Sequence, residues 1–305
     1  MSDPIVLTSA LDASVNFIEK TDIGFLEHRY VRRDLEKVLV YLSSQTGCAQ
    51  VCRFCHLTAN GEVALTNATL ADFLRQASTV LAHYDNQAPG KTVHFNFMAR
   101  GEPLANHVIM ENSGLLLSEL GKLADQRGLV SKYLISTIMP SEMGGAELRD
   151  IFSEVHPEIY YSLYSMNSSF RRRWLNKAHS AEVGLDKLKA WADYSGKVPK
   201  IHFAFIEGQN DSEADIVAIA NALKTRGLTA NFNIVRYNPA SEKYGKESSE
   251  DVIQRNVDML KELLSPPKVR VVPKVGFDVK ASCGMFINSK DPASLINSPL
   301  ILTAN

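Results

Sequence analysis

Three of the chain's four cysteines fall within eight residues of the stretch SSQTGCAQVCRFCHLTANGE, as Cys48-x3-Cys52-x2-Cys55, and the fourth, Cys283, lies far downstream. Thiolates are soft ligands that suit zinc, copper(I) or iron–sulfur clusters. Structural zinc takes four protein ligands, often as two C-x-x-C pairs. Only one group of cysteines is present here, and His56, directly beside Cys55, is badly placed to share a tetrahedral ion with it. A [4Fe-4S] cluster usually takes four cysteines, so three would leave one iron open to a substrate or cosubstrate. An open cluster is the first expectation, with zinc or metal-free thiols as the alternatives.

The elements around these residues alternate. Strands are predicted over 37–44, 92–99, 131–137, 158–164, 199–207 and 229–237, with a seventh over 268–274. Several read as nearly continuous apolar runs, the pattern of parallel strands covered on both faces. Helical runs lie between them, over 69–84, 113–128, 145–155, 181–194, 212–227 and 249–264; Gly227 is a natural stop for the fifth. This βα order implies a parallel α/β barrel or open sheet, and such folds place their chemistry at the C-terminal ends of the strands. The cysteine group follows the first parallel strand directly. The domain expectation is an N-terminal extension over 1–36, one barrel domain over 37–290 and a tail over 291–305.

Composition removes several classes. A net charge of −1 gives no global drive toward nucleic acid or anionic lipid. Four cysteines in 305 residues are no disulfide framework. No apolar run is long enough to span a bilayer, and the N-terminus lacks the pattern of a signal peptide. A cytoplasmic protein without membrane association is expected.

The motif order SSQTGC…C…C, GEP at Gly101–Pro103, STIMP after the third strand, SLY ending the fourth, YNP ending the sixth and a late SCG resembles the radical S-adenosylmethionine (SAM) superfamily. Within it the pattern is similar to adenosine C2/C8 methyl synthases of the RlmN/Cfr type, over roughly residues 24–290. The resemblance implies a partial (βα)6 radical SAM barrel with a [4Fe-4S] cluster on Cys48, Cys52 and Cys55. It implies SAM contacts at Gly101, Glu102, Ser136, Ser162, Leu163, Tyr164 (where the family has His) and Asn238. Cys283 matches the cysteine that carries the transferred methyl, and Glu27, in LEHRYV, matches the family's proposed base. The implied substrate is an adenosine-containing RNA or nucleotide, and the implied electron donor a flavodoxin- or ferredoxin-type protein. In the implied chemistry one SAM methylates the Cys283 sulfur. A second, cleaved reductively, generates the radical that abstracts hydrogen from that methyl, and the carbon then adds to the adenine ring.

The chain departs from the family on the substrate side. The cysteine that normally resolves the protein–substrate adduct is Tyr41 here, and a phenol forms no disulfide. Only a short extension stands where the family has an RNA-binding domain. Two basic residues before the late cysteine are replaced by Pro273 and Val275, and the residues after the cluster motif lack the family's aromatic–basic pattern. These differences leave open a second reading, a radical SAM enzyme on a different or smaller substrate with altered use of Cys283. Arg171–Arg173 and Trp174 could contact nucleic acid, or form a solvated helix face with one packed tryptophan.

Overall fold

The protein is described by a computed structural model that covers residues 3–266 and 268–288. The expected 291–305 tail lies outside the described residues. One ten-stranded sheet holds its strands in sequence order. Strands β1 (Ile5–Thr8), β2 (Val15–Lys20) and β3 (Phe25–Val31) form an antiparallel meander, and β3 joins β4 (Lys37–Leu42) antiparallel. Every later pairing is parallel, through β5 (Thr92–Phe97), β6 (Val130–Thr137), β7 (Glu158–Tyr161), β8 (Lys200–Phe203), β9 (Asn231–Val235) and β10 (Val269–Val272). The helices are α1 (His56–Ala59), α2 (Leu70–Tyr84), α3 (His107–Asp125), α4 (Leu148–Ile151), α5 (Ser168–Trp174), α6 (Ala181–Ser195), α7 (Glu213–Thr225) and α8 (Glu250–Leu264). The parallel half is the expected partial barrel of six βα units plus a closing strand.

Helix starts follow side-chain chemistry. Thr69 with Asp72 and Ser212 with Asp215 make capping boxes, each satisfying two otherwise orphaned backbone N–H groups. Gly227 follows α7 at φ +57°, the left-handed stop expected of it. The helix expected over 145–155 is reduced to the single turn α4, since Gly144 and Gly145 before it disfavour a helix start and Pro157 follows closely.

Two features differ from the pattern read in the sequence. The expected N-terminal extension supplies three strands of the same sheet, within residues 5–31. Their polar residues hide them: β3, FLEHRYV, is buried along its whole length, charged positions included. The parallel strands are also not apolar on both faces. Val38, Val40, Val93, Phe95, Phe97, Ile159, Ile201, Phe203 and Phe232 are wholly buried against the helices. The alternate residues point into the barrel, and register aligns them as Tyr41–Asn96–Leu134–Glu158, Tyr160–Lys200–Asn231 and His202–Asn233–Arg270. The barrel therefore has a polar lumen inside an apolar wall.

A buried charge cluster ties the meander to the barrel. Glu27 is fully buried; its Oε1 accepts from Arg100 Nη1 at 2.9 Å and from Ile287 N at 3.0 Å. Its Oε2 accepts from Arg29 Nη2 at 3.1 Å and Asn16 Nδ2 at 3.0 Å. Arg100 also pairs with Glu62. The same groups grip the segment that contains Cys283: Asn16 Nδ2 donates to Val279 O at 3.0 Å, Arg29 to Ala281 O at 3.0 Å and Met285 O at 2.8 Å, and Arg100 to Ile287 O at 3.1 Å. This corrects the expectation for Glu27. Its carboxylate accepts four hydrogen bonds and does not line the cavity that Cys283 borders, so it serves as an anchor for that segment.

Removing one partner strands a buried charge, which typically costs about 3–5 kcal/mol. Glu27→Ala and Arg100→Ala are each expected to lower unfolding stability by about that amount in urea titrations. A loss below about 1 kcal/mol, the range of a surface pair, would contradict the anchoring role.

Candidate active site

The cysteine loop leaves the C-terminal end of β4 and is fitted tightly to its neighbours. A Cβ at Gly47 would meet the Ala64 carbonyl oxygen at 2.3 Å, so no larger residue fits there without backbone movement. Gly101, after β5, has φ +94°, and a Cβ on it would lie 2.7 Å from Gln45 N. Only glycine allows the β5 loop to approach the cysteine loop this closely. Cys48 N donates to Glu62 O at 3.0 Å, and Cys55 N to Cys52 O at 3.1 Å.

Cys48, Cys52 and Cys55 are free thiols that line one cavity. Burial pushes all three thiols above their ordinary pKa. Charge on Cys55 raises Cys48 further, and charges on Cys48 and Cys55 raise Cys52. Three buried thiols that resist joint ionisation need a cationic centre to become thiolates together, and an iron–sulfur cluster supplies one. Among the described residues, no three His, Cys, Asp or Glu side chains converge on a point fit for one metal ion. A cubane asks less convergence, because each thiolate binds a different iron. The donor set fits a three-cysteine cluster better than mononuclear zinc.

Glu102 faces the same cavity and is 4% exposed. Its Oε1 accepts from Leu104 N at 3.1 Å and its Oε2 from Ile138 N at 3.2 Å. Burial raises its pKa to about 7, against the pull of hydrogen bonds from Thr137 and those backbone groups. Ser136, Ser162, Tyr164 and Asn238 line the cavity too, so the structure gathers these expected residues from the ends of three strands, β6, β7 and β9. Tyr164 adopts φ 59° and stacks on Phe54, between Cys52 and Cys55, with ring centroids 4.3 Å apart. Leu163 is the exception. It is wholly buried in the core and does not line the cavity, because its neighbours Ser162 and Tyr164 take the inward positions. Thr137, beside Ser136, and Phe54, inside the cysteine motif, are site residues whose neighbours in sequence could have flagged them; Arg33 and His202 carried no such signal.

Asn238 fixes the late cysteine. Its Nδ2 donates to Cys283 O at 3.0 Å and to Ser282 Oγ at 3.3 Å, while its backbone carbonyl meets His56 Nε2 at 3.0 Å. Cys283 thereby sits on the boundary of two cavities. One, about 160 Å³, holds the three cysteines and Glu102; the other, about 1010 Å³, is the lumen. Arg33, Tyr41, Met98 and His202 border both with it. Burial raises the Cys283 thiol pKa, and Arg33 and Arg29 oppose that rise. Tyr41 is close enough for Cys283 to raise its own pKa, after the larger effect of burial. Of the basic run, Arg171 is buried, donating to Leu163 O and His179 O at 2.7 Å each, and Trp174 is packed. That is the packed-tryptophan reading of the run, with one arginine structural.

Comparison with solved structures matches this architecture. A radical SAM methyltransferase from Sphaerobacter thermophilus superposes with a TM-score of 0.74 at 20% identity, over 92% of this chain and 80% of that one. The fold is the radical SAM fold. The FeFe-hydrogenase maturase HydG from Carboxydothermus hydrogenoformans shares it more distantly, with a TM-score of 0.54 at 13% identity over 79% of this chain and 55% of that one. In sequence, the chain is 26% identical over 289 residues to the probable dual-specificity RNA methyltransferase RlmN of Clostridium botulinum (strain Eklund 17B / Type B), covering 93% of this chain and 78% of that protein. It is 28% identical to the protein of the same description from Prochlorococcus marinus (strain NATL1A), covering 82% and 67%. No family model matches the chain. Among the described residues, no helix is long and apolar enough to cross a membrane.

The raised pKa of Glu102 has a stability consequence. At pH below 4.5 the carboxyl is protonated in both folded and unfolded chains. Between 4.5 and about 7 only the unfolded chain releases its proton, so folding loses stability as pH rises through that window. Metal-free protein should lose up to about 3 kcal/mol there relative to Glu102→Gln, measured by urea titration at each pH. A constant difference between the two proteins would contradict the burial of this carboxyl.

Proposed function

We propose that the protein is a radical SAM methyltransferase that binds a [4Fe-4S] cluster on Cys48, Cys52 and Cys55 and methylates an adenosine-like base through Cys283. The observation that carries this reading is the place of Cys283, on the boundary between the cavity of the three cysteines and the lumen. A residue that takes a methyl on one side and delivers it on the other must stand at such a boundary. The similarity to RNA methyltransferases over most of the chain supports the reaction class.

When bound, the cluster with SAM at its open iron supplies a hydrogen-abstracting radical. The chain's own residues position, ionise and exclude water. Glu102, which lines the cavity beside Gly101, would accept a hydrogen bond from the SAM amino group. Ser136, Ser162, Tyr164 and Asn238 line the remaining contacts. Arg33 and Arg29 favour the Cys283 thiolate, the form that attacks a sulfonium methyl; the new S–C bond forms as S-adenosylhomocysteine leaves. Glu27, buried in its ion cluster, acts on Cys283 through the loop it holds, so another group or water receives the ring proton. An RNA or free nucleotide is the substrate, a flavodoxin- or ferredoxin-type protein the reductant, and the cytoplasm the setting.

Tyr41 favours a specific variation. It borders the same two cavities as Cys283, and its phenol, kept protonated by burial that raises its pKa, cannot break a thioether adduct through a disulfide. Release must use another route, such as an added thiol, or the substrate differs from an RNA adenosine.

Three measurements test the proposal. Replacing any of the three clustered cysteines by Ala should remove most bound iron and all reductive SAM cleavage in anaerobic protein. Glu102→Gln should keep the iron and weaken SAM binding by roughly 1.5–3 kcal/mol, the worth of a charge-assisted hydrogen bond. Cys283→Ala should retain SAM cleavage and yield no methylated product, while Tyr41→Cys should speed product release. A colourless protein with one zinc, or a Cys283→Ala variant that still methylates, would overturn it.

A further inference from the structure

The lumen below Cys283 is built for an anion. Seven of its lining side chains are lysine or arginine and three are aspartate or glutamate. Two of the acids are already paired, Asp34 with Lys37 at 3.5 Å and Glu158 with Lys200 at 2.6 Å. Lys132 and Arg270 belong to the excess at the N-terminal ends of the strands, and Arg33 stands near Tyr41, His202 and Cys283, whose thiol it favours as thiolate. A barrel interior is ordinarily filled by branched apolar residues; a positive cavity of this size inside an apolar wall needs a different occupant.

The upper part of the lumen is polar in another way. Asn96 is 4% exposed and His202 9%, yet Asn96 Oδ1 and His202 Nδ1 have no hydrogen-bond partner among the described residues. Burial, aided by Arg33, lowers the His202 pKa to about 4, so its ring is neutral near pH 7 and has both a donor and an acceptor nitrogen. An amide and a neutral imidazole are the groups that read a base edge. Asn96 pairs in register with Tyr41, next to Cys283, and Lys132 pairs with His94, two residues lower on the same strand as Asn96. Strands rise about 3.3 Å per residue, so the three steps from His94 to Phe97, the end of β5, cover about 10 Å, comparable to a nucleoside monophosphate from phosphate to base.

We infer that the lumen is a binding site for a nucleoside monophosphate unit, its phosphate held by Lys132 and Arg270 at the strand N-terminal ends and its base presented to Cys283 past Asn96 and His202. This rests on the proposed methylation for the identity of the base, and only on the lumen for the phosphate. The unit can come from a free nucleotide or from a nucleotide flipped out of an RNA; the site recognises the same chemistry in both.

The test is calorimetry on cluster-loaded protein with AMP, adenosine and an adenosine-bearing RNA hairpin, in wild type, Lys132→Gln and Arg270→Gln, with thermal melting to verify that the variants fold. AMP is expected to bind at least tenfold more tightly than adenosine, and either substitution is expected to erase most of that preference, as is raised salt. If the hairpin competes with AMP and is weakened by the same substitutions, the nucleotide is read from RNA; if AMP binds and the hairpin does not compete, the ligand is a free nucleotide. Equal affinity for AMP and adenosine, or variants that bind AMP as the wild type does, would overturn the site and leave a water-filled lumen. Reductive SAM cleavage measured on the same samples separates the two readings, since its loss would remove the proposed reaction while leaving the nucleotide binding to stand or fall alone.

Discussion

The buried cluster of Glu27, Arg29 and Arg100 is the interaction on which the rest depends. It joins three parts of the chain that are distant in sequence: the N-terminal meander, the loop after β5 and the segment from Val279 to Ile287. Desolvating these charges is costly, and mutual attraction offsets the cost only because further hydrogen bonds satisfy the remaining atoms. Those further bonds are to backbone carbonyls and an N–H of the segment that holds Cys283. The ion cluster thus converts an irregular segment, which would otherwise have little to fix it, into a held arm across the barrel mouth. Asn238 fastens the same arm from the opposite wall. Placement of Cys283 is a consequence of both.

The second organising feature is the split character of the strands. Their outer faces are as apolar as any parallel sheet under helices, and they account for most of the core. Their inner faces are polar. The barrel can afford this because the outer face alone, covered by six helical connections, buries enough apolar surface to fold the domain. That frees the interior for chemistry, with the cavity of the three clustered cysteines on one side of Cys283 and a cationic lumen on the other.

Much of this was legible in the sequence. The seven parallel strands and the order of the helices followed from periodicity, and the family resemblance named Cys48, Cys52, Cys55, Glu102, Ser136, Ser162, Tyr164 and Asn238, which line one cavity. The misses have physical causes. The strands β1 to β3 were hidden because β3 buries Glu27, His28 and Arg29, and buried charges read as loop. The lumen was hidden because residues such as His94, Asn96, Asn231 and Asn233 alternate with large apolar neighbours whose bulk dominates an average. Glu27 fitted a sequence pattern for a base, but only the structure could reveal that both its oxygens are occupied. Leu163 lay in a motif whose flanking residues face the cavity while it faces the core, a distinction of strand parity. The relation between Tyr41 and Cys283, across 242 positions, could be posed from the motif but needed the fold to bring both to the border of the same two cavities.

The central claim is that Cys283 is the group that carries the methyl, and the most direct measurement is a mass spectrum of the peptide that contains it. Protein should be reconstituted anaerobically with its cluster and incubated with SAM bearing a deuterated methyl group, in the absence of a nucleotide substrate. One deuterated methyl is expected on the Cys283 sulfur and none on Cys48, Cys52 or Cys55. An unmodified Cys283 in a preparation that goes on to methylate its substrate would contradict it.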